Sequence, residues 1–373
     1  MLNIKLNKSS MVEILSKIQG LTGRKSNLAI TSHLLIRATG SEISIIATDL
    51  ETAMEGFYEA TVISGGNITI NAKKLYEIIR NFPTEEIHIV ESENRWFTIG
   101  NKTVEYHLVG MDPEDFPLLP DDSGDHKLSV PGYQLKKMIE QMVLIPGIGG
   151  DDRPHLTGIK VELLSDEHNQ IFRLLSTDGR RLGLTDYTLP EDVENFEVSS
   201  YLIPKKGLAE VLKFIETDDT VQIRINESHV VFEKTNETIM IRLLEGDFPK
   251  YDALINFDPA YSIEYDKDLL QMMLKRMSIL SSETYSGVIF SFSENQIQIV
   301  TSNPDMGESR EEMLINYNRE AFDVAFNPRY FIDALSVIED DKVMMNIVNG
   351  SKPCILYGAS DTSFLSVIMP MKF

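Results

Sequence analysis

The residues with the most chemical reach in this chain are two aspartates. Asp49 and Asp178 each follow a threonine at the end of a strand-like stretch, in Ala47-Thr48-Asp49 and Ser176-Thr177-Asp178. Two such carboxylates could hold Mg²⁺ for phosphodiester cleavage. Aspartate also suits turns at strand ends, and equivalent turns in a repeated unit explain the pair better. Other catalytic apparatus is missing from the sequence. There is no G-x-x-x-x-G-K-[ST] phosphate loop, and Gly147-Ile148-Gly149-Gly150 is not a dinucleotide fingerprint. The seven histidines are scattered without an H-E-x-x-H pair, and one cysteine, Cys354, allows neither an internal disulfide nor a paired-cysteine zinc site. No catalytic residue, metal or other cofactor is expected, and the chain is not expected to be an enzyme.

The elements that would carry such turns need a core, and 373 residues with 42% apolar and 25% charged side chains supply enough for two or three domains. The lone cysteine fits a reducing compartment. The opening MLNIKLNKSS lacks the long apolar run of a signal peptide, and no stretch approaches a membrane span. A cytoplasmic address and no membrane partner are expected.

A threefold repeat organises the chain. Leu2–Ile18, His126–Met142 and Tyr261–Met277 each open with a short alternating strand followed by an apolar stripe at helical spacing. The stripes are Met11, Leu15 and Ile18; Leu135, Met138 and Met142; and Leu270, Met273 and Met277. Strands rich in Ile, Val and Phe follow, ending near Thr48, Thr177 and Thr301, which are 129 and 124 residues apart. A second strand and helix then recurs in ITINAKKLYEIIRNF, SYLIPKKGLAEVLKFI and FDVAFNPRYFIDALSVI, followed by the strands EEIHIV, TVQIRI and KVMMNIV. Glu114-Asp115-Phe116-Pro117 and Asp247-Phe248-Pro249 close the first two segments. The expected architecture is α+β, with three tandem homologous domains at 1–122, 123–251 and 252–373, each carrying two helices packed on antiparallel sheets.

The net charge of −22 speaks against nucleic acid on average, but its distribution does not. The six expected helices together carry +7, which leaves −29 for the rest. Basic pairs recur on them: Lys73-Lys74, Lys136-Lys137, Lys205-Lys206 and Lys275-Arg276. A repeated basic face suits a surface that meets phosphates without reading bases. Packed helices lie roughly 9 Å apart, so a closed ring of six would be about 17 Å between axes, too narrow for a duplex about 20 Å wide. Twelve would give about 34 Å between axes and roughly 24 Å clear. If the helices line a hole for DNA, one chain forms half of a closed ring and a head-to-tail homodimer completes it.

At this point the residues resemble a known family. The three-domain plan, Ser176-Thr177-Asp178-Gly179-Arg180-Arg181-Leu182, Gly246-Asp247-Phe248-Pro249-Lys250-Tyr251 and Val367-Ile368-Met369-Pro370-Met371-Lys372-Phe373 are similar to the bacterial DNA sliding clamps. The resemblance covers essentially the whole chain. It implies a processivity factor of DNA replication that encircles double-stranded DNA without sequence preference. The implied partners are a replicative polymerase subunit, a clamp loader, other clamp-motif proteins and a second copy of the chain. By resemblance, Arg24, Lys73, Arg80, Arg153, Lys205 and Lys206 would face DNA. Leu156, Thr177, Gly179, Arg181, Leu182, Pro249, Val367, Met369, Pro370 and Met371 would line an apolar cleft that captures partner peptides. Methionine adapts to different apolar anchors, so one groove can accept several partners. Lys74 and Tyr106 on one side, with Ile279, Leu280, Glu308 and Glu311 on the other, would close the dimer.

Three departures stand out. Arg180 replaces the family's usual histidine, Ala29 its usual proline, and the last helix of the third domain is electrically neutral. They would also fit a divergent second clamp with a narrower partner set.

Overall fold

The computed structural model describes residues 1–22, 28–120, 126–147, 153–165, 169–190, 198–280 and 287–372. Short alternating stretches become strands because one face meets the core: Ile4 and Leu6 are buried between Asn3, Lys5 and Asn7, and Val221, Ile223 and Ile225 between polar neighbours. In the first repeat the strands are β1 (Asn3–Asn7), β2 (His33–Thr39), β3 (Glu42–Thr48), β4 (Thr52–Glu59), β5 (Thr61–Ser64), β6 (Gly66–Asn71), β7 (Glu86–Glu91), β8 (Trp96–Gly100) and β9 (Glu105–Val109). The second holds β10 (His126–Pro131), β11 (Gly158–Ser165), β12 (Gln170–Thr177), β13 (Arg181–Thr188), β14 (Ser199–Pro204), β15 (Thr220–Ile225), β16 (His229–Lys234) and β17 (Glu237–Arg242). The third holds β18 (Ser262–Asp266), β19 (Val288–Ser293), β20 (Gln296–Asn303), β21 (Gly307–Leu314), β22 (Phe322–Phe326), β23 (Lys342–Asn346), β24 (Cys354–Gly358) and β25 (Phe364–Ile368).

The longer helices each follow a strand directly or after one residue: α1 (Lys8–Thr22) and α2 (Ala72–Arg80), α3 (Gly132–Val143) and α5 (Lys205–Phe214), α7 (Lys267–Met277) and α8 (Pro328–Val337). Two one-turn helices, α4 (Pro154–Thr157) and α6 (Asp252–Ile255), sit in connections. Asparagine or aspartate starts four of the long helices. Asn7, Asn71, Asp266 and Asn327 accept hydrogen bonds from the backbone N–H groups of Ser10, Lys74, Leu269 and Arg329. All nine expected stripe residues, from Met11 to Met277, are buried. Each contributes roughly 1.5–3 kcal/mol of apolar burial.

The chain forms two compact units, Met1–Lys136 with Lys206–Leu243, and Lys137–Lys205 with Leu244–Phe373. Each repeat half is an antiparallel layer of four strands, with β5 added as a fifth beside β1 in the first, and sheet pairing crosses the repeat borders. In the first unit, β10-β15-β16-β17 joins β4-β3-β2-β6 through β17 and β4, giving eight strands, beside a separate sheet β5-β1-β7-β8-β9. In the second, β14-β11-β12-β13 joins β25-β24-β23-β18 through β13 and β25, beside the separate sheet β21-β20-β19-β22. Helix α1 packs on α2, and α7 on α8. No helix of the described residues is long and apolar enough to cross a membrane.

Candidate functional site

The turn between β12 and β13 gathers most of the residues expected in the partner cleft. The Thr177 hydroxyl donates to the Arg181 carbonyl at 2.7 Å and accepts from the Gly179 N–H. Asp178 accepts from the Arg180 and Arg181 N–H groups through one oxygen and from the Arg181 Nε through the other. Gly179 takes φ +82°, where a side chain would be strained. Thr48 and Asp49 build the same turn between β3 and β4, with Leu50 at φ 78° in the glycine's place. Both aspartates therefore serve as turn formers, as the sequence suggested. No group of three or more potential metal ligands occurs among the described residues.

The third repeat corrects one sequence reading. The point equivalent to Thr48 and Thr177 is Asn303, not Thr301. Asn303 ends β20, its side chain accepts from the Asp305 N–H, and β21 starts four residues on, as β4 and β13 do. An amide oxygen can replace the threonine hydroxyl as acceptor, which hides the match from a search for threonine.

Arg181 is almost fully buried. Its guanidinium reaches Asp178, Asp333 on α8 at 2.7 Å and the Leu144 carbonyl, and it lies 4.5 Å from the Tyr330 ring centroid. The sequence reading missed Asp333 and Tyr330. Their i,i+3 spacing on α8 was the available signal. On the other side of β13, Leu182 pairs with Val367 of β25, and both pack in an apolar cluster with Leu175, Tyr251 and Tyr357. Phe248 and Leu254 lean against this cluster, and Pro249, exposed, lies between Phe248 and Tyr251. Past β25, the Met369 N–H donates to the Arg180 carbonyl and the Met371 N–H to the Ala325 carbonyl. Met369 stays exposed, while Pro370 and Met371 are half-buried.

The residues expected to face DNA divide. Lys73 and Arg80 are exposed on α2, Lys206 is exposed on α5, and Arg153 is exposed before α4. Arg24 lies outside the described residues. Lys205 departs from the expectation of an outward cation. It is only 9% exposed, and its ammonium donates to the Leu156 and Thr177 carbonyls at 3.2 and 3.3 Å. Burial pushes its pKa down to about 8, with Asp178 opposing that shift and Arg181 adding to it. The cationic helix layer is also partly neutralised. Lys17 meets Glu13, Glu216 and Glu237, Lys137 meets Glu339 and Asp361, and Lys206 lies near Asp49 and Glu51. A count of helix charges cannot see carboxylates brought in from strands and loops.

Apart from Lys74 on α2, the residues expected at the dimer contact lie on or beside two strand edges. Tyr106 is on β9, the last strand of its sheet; Glu308 and Glu311 are on β21, the last strand of its own. Ile279 and Leu280 form a short turn after α7 that touches β21, and Ile279 is 69% exposed. Lys74 is exposed and paired with Glu77. No strand among the described residues pairs with the outer edge of β9 or of β21.

These features define a tandem-repeat α+β scaffold with a polar network beside a methionine-rich terminus. Three family models match in sequence: the N-terminal domain of the DNA polymerase III beta subunit over residues 2–120, its central domain over 129–250 and its C-terminal domain over 254–372. The chain is 26% identical over 367 residues to the beta sliding clamp of Chlamydia muridarum, covering 98% of each. It is 26% identical over 370 residues to that of Haemophilus influenzae, covering 98% of this chain and 99% of the relative. The crystal structure of the DNA polymerase III subunit beta from Pseudomonas aeruginosa superposes with a TM-score of 0.92, at 24% identity and over 100% of both chains. The chain belongs to the DNA polymerase III beta subunit family, the sliding clamps, which are non-catalytic processivity factors of DNA replication.

Proposed function

We propose that this chain is a processivity clamp that closes head to tail with a second copy around double-stranded DNA, in the cytoplasm, and tethers the replicative polymerase to it. The observation that carries the closure is a pairing rule repeated within the chain. The last strand of the second repeat, β17, pairs with β4 of the first, and the last strand of the third, β25, pairs with β13 of the second. By the same rule β9 of the first repeat needs the third repeat's β21, and a second copy supplies it. The division into domains at 1–122, 123–251 and 252–373 follows from the same repetition.

The rule also sets a register. Ile241 faces Thr52, four residues after Thr48, and Ile368 faces Arg181, four after Thr177. The two-residue hairpin between Asn101 and Val104 makes Leu108 the counterpart of Ile241, because Lys234 and Glu237 close the corresponding hairpin. Leu108 then faces Gly307 of the partner copy, four residues after Asn303. Continuing outward, His107 faces Glu308, Tyr106 faces Ser309 and Glu105 faces Arg310. Val109 meets Met306, both now exposed. The register therefore sets opposite charges and exposed apolar groups against each other.

Exposed Lys73, Arg80, Arg153 and Lys206 are the proposed phosphate-facing groups, with Arg24 added by resemblance. The turn at Thr177–Arg181, Leu182 and Val367–Met371, with Leu156 and Pro249, is the proposed groove for partner peptides. Its occupants are the polymerase subunit, the clamp loader and other clamp-motif proteins. The closing test has two parts. The solution mass should be twice that of one chain, and a stable monomer at micromolar concentration removes the ring. Protein loaded on nicked circular DNA should be lost when the circle is linearised with unblocked ends, and retention would contradict a sliding ring.

A further inference from the structure

We propose that Lys205 is a positioning residue of the partner-peptide groove, holding the Leu156 segment against the Thr177 turn rather than meeting DNA. The inference rests on the groove reading above. Lys205 opens α5 immediately after β14, and β14 pairs with β11, so its backbone is fixed beside the point where the Leu156 segment enters the sheet. From there the side chain runs inward. A Cβ added at Gly147 would sit 3.9 Å from the Lys205 Cδ and 3.3 Å from the Leu156 carbonyl oxygen, so the stem passes through a packed site.

The ammonium then joins two carbonyls far apart in sequence, that of Leu156 in one-turn α4 and that of Thr177 at the end of β12. A single helical turn has little stability of its own and takes its position from what it is tied to. Leu156 and Thr177 stand on either side of this tie, and both belong to the proposed groove. The charged groups facing the ammonium are Asp178, in the turn, and Arg181, on β13. A donor that loses charge here weakens both hydrogen bonds, since bonds from an ionised donor are the stronger kind.

The test uses the full-length protein and a fluorescent peptide from the clamp-binding segment of the same cell's replicative polymerase. Binding is measured by anisotropy from pH 7 to pH 9.5 for the wild type, Lys205→Met and Lys205→Gln. Thermal unfolding reports whether each variant is folded. At pH 7, Lys205→Met should bind about tenfold more weakly, as expected when buried carbonyls lose their donor. Lys205→Gln, with a shorter donor, should fall between it and the wild type. The wild-type affinity should decline as pH rises through about 8, and the Met variant should show no such decline; burial alone would not create that difference. Folded Lys205→Met that binds as tightly as the wild type overturns the proposal. If that variant does not fold, the wild-type profile decides, and a flat one overturns it. A wild type that captures no peptide at all removes the groove reading and this inference with it.

Discussion

Two repeat junctions in this protein are sealed by strand pairing within the chain, and two strand edges of the same kind are left open. At the sealed edges the strands carry buried apolar residues: Ile239 and Ile241 on one face of β17, and Val367 and Ile368 on opposite faces of β25, are nearly inaccessible. At the open edges the composition changes. β9 reads Glu105-Tyr106-His107-Leu108-Val109, and β21 carries Glu308, Arg310, Glu311 and Glu312. An exposed edge invites indiscriminate pairing, and charge is a standard protection against it. On β21, Glu308 and Arg310 stand where the sealed strand β13 carries Leu182 and Leu184, whereas β9 keeps Tyr106 and Leu108 at the positions of Ile239 and Ile241 and adds Glu105 and His107 between and beside them. In the proposed ring the same charges set register and partner.

The largest effect is expected at the sealed second junction. Arg181→Ala would leave Asp178 and Asp333 without their guanidinium and uncover Tyr330, costing about 3 kcal/mol. A urea midpoint within a few tenths of the wild type would show that the network contributes little.

The first sealed junction should be sensitive to alkali. Burial, then the Glu237 carboxylate, pushes the Tyr58 phenol well above its ordinary value, and the Tyr58 hydroxyl donates to Glu237 at 2.7 Å. Lys234 beside them is also held above its usual value by Glu237 and Asp219, against the lowering effect of burial. Both groups have raised folded pKa values, so their stabilisation is complete below the unfolded values near 10 and lost as pH climbs past them. Between pH 10 and 11 the wild type should lose stability relative to Tyr58→Phe by about 1 kcal/mol. Parallel unfolding curves for the two proteins across that range would contradict this account.

The smallest effect belongs to the open edges and leaves the folded chain alone. Glu105→Arg or Arg310→Glu should loosen the dimer roughly threefold, about 0.65 kcal/mol, and the double reversal should restore it. Sedimentation at several concentrations reads this directly. Failure of the double variant to recover would discard the register, though not the pairing of β9 with β21.

Much of the architecture was legible in the sequence. The six strand–helix units, their apolar stripes and the turn-forming aspartates all follow local rules of period, capping and turn geometry. The candidate site was legible in part. Thr177, Arg181, Leu182 and Val367 do come together, but Asp333 and Tyr330, which hold Arg181, lie some 150 residues away, and their i,i+3 spacing on α8 does not say which residue they meet. The neighbours Lys205 and Lys206 show the limit best. Their local sequence signals are the same, yet one ammonium is enclosed by carbonyls and the other stands in solvent beside Asp49 and Glu51.

The order of residues by itself determined the repeat, its elements and the positions of its turns, because these depend on side-chain period and hydrogen bonds spanning a few residues. Tertiary structure alone decided which strands merge across repeats, which edges stay open and which lysines remain free cations. Those outcomes depend on distances between residues remote in sequence, and electrostatic and hydrogen-bond energies change sign or vanish over a few ångströms.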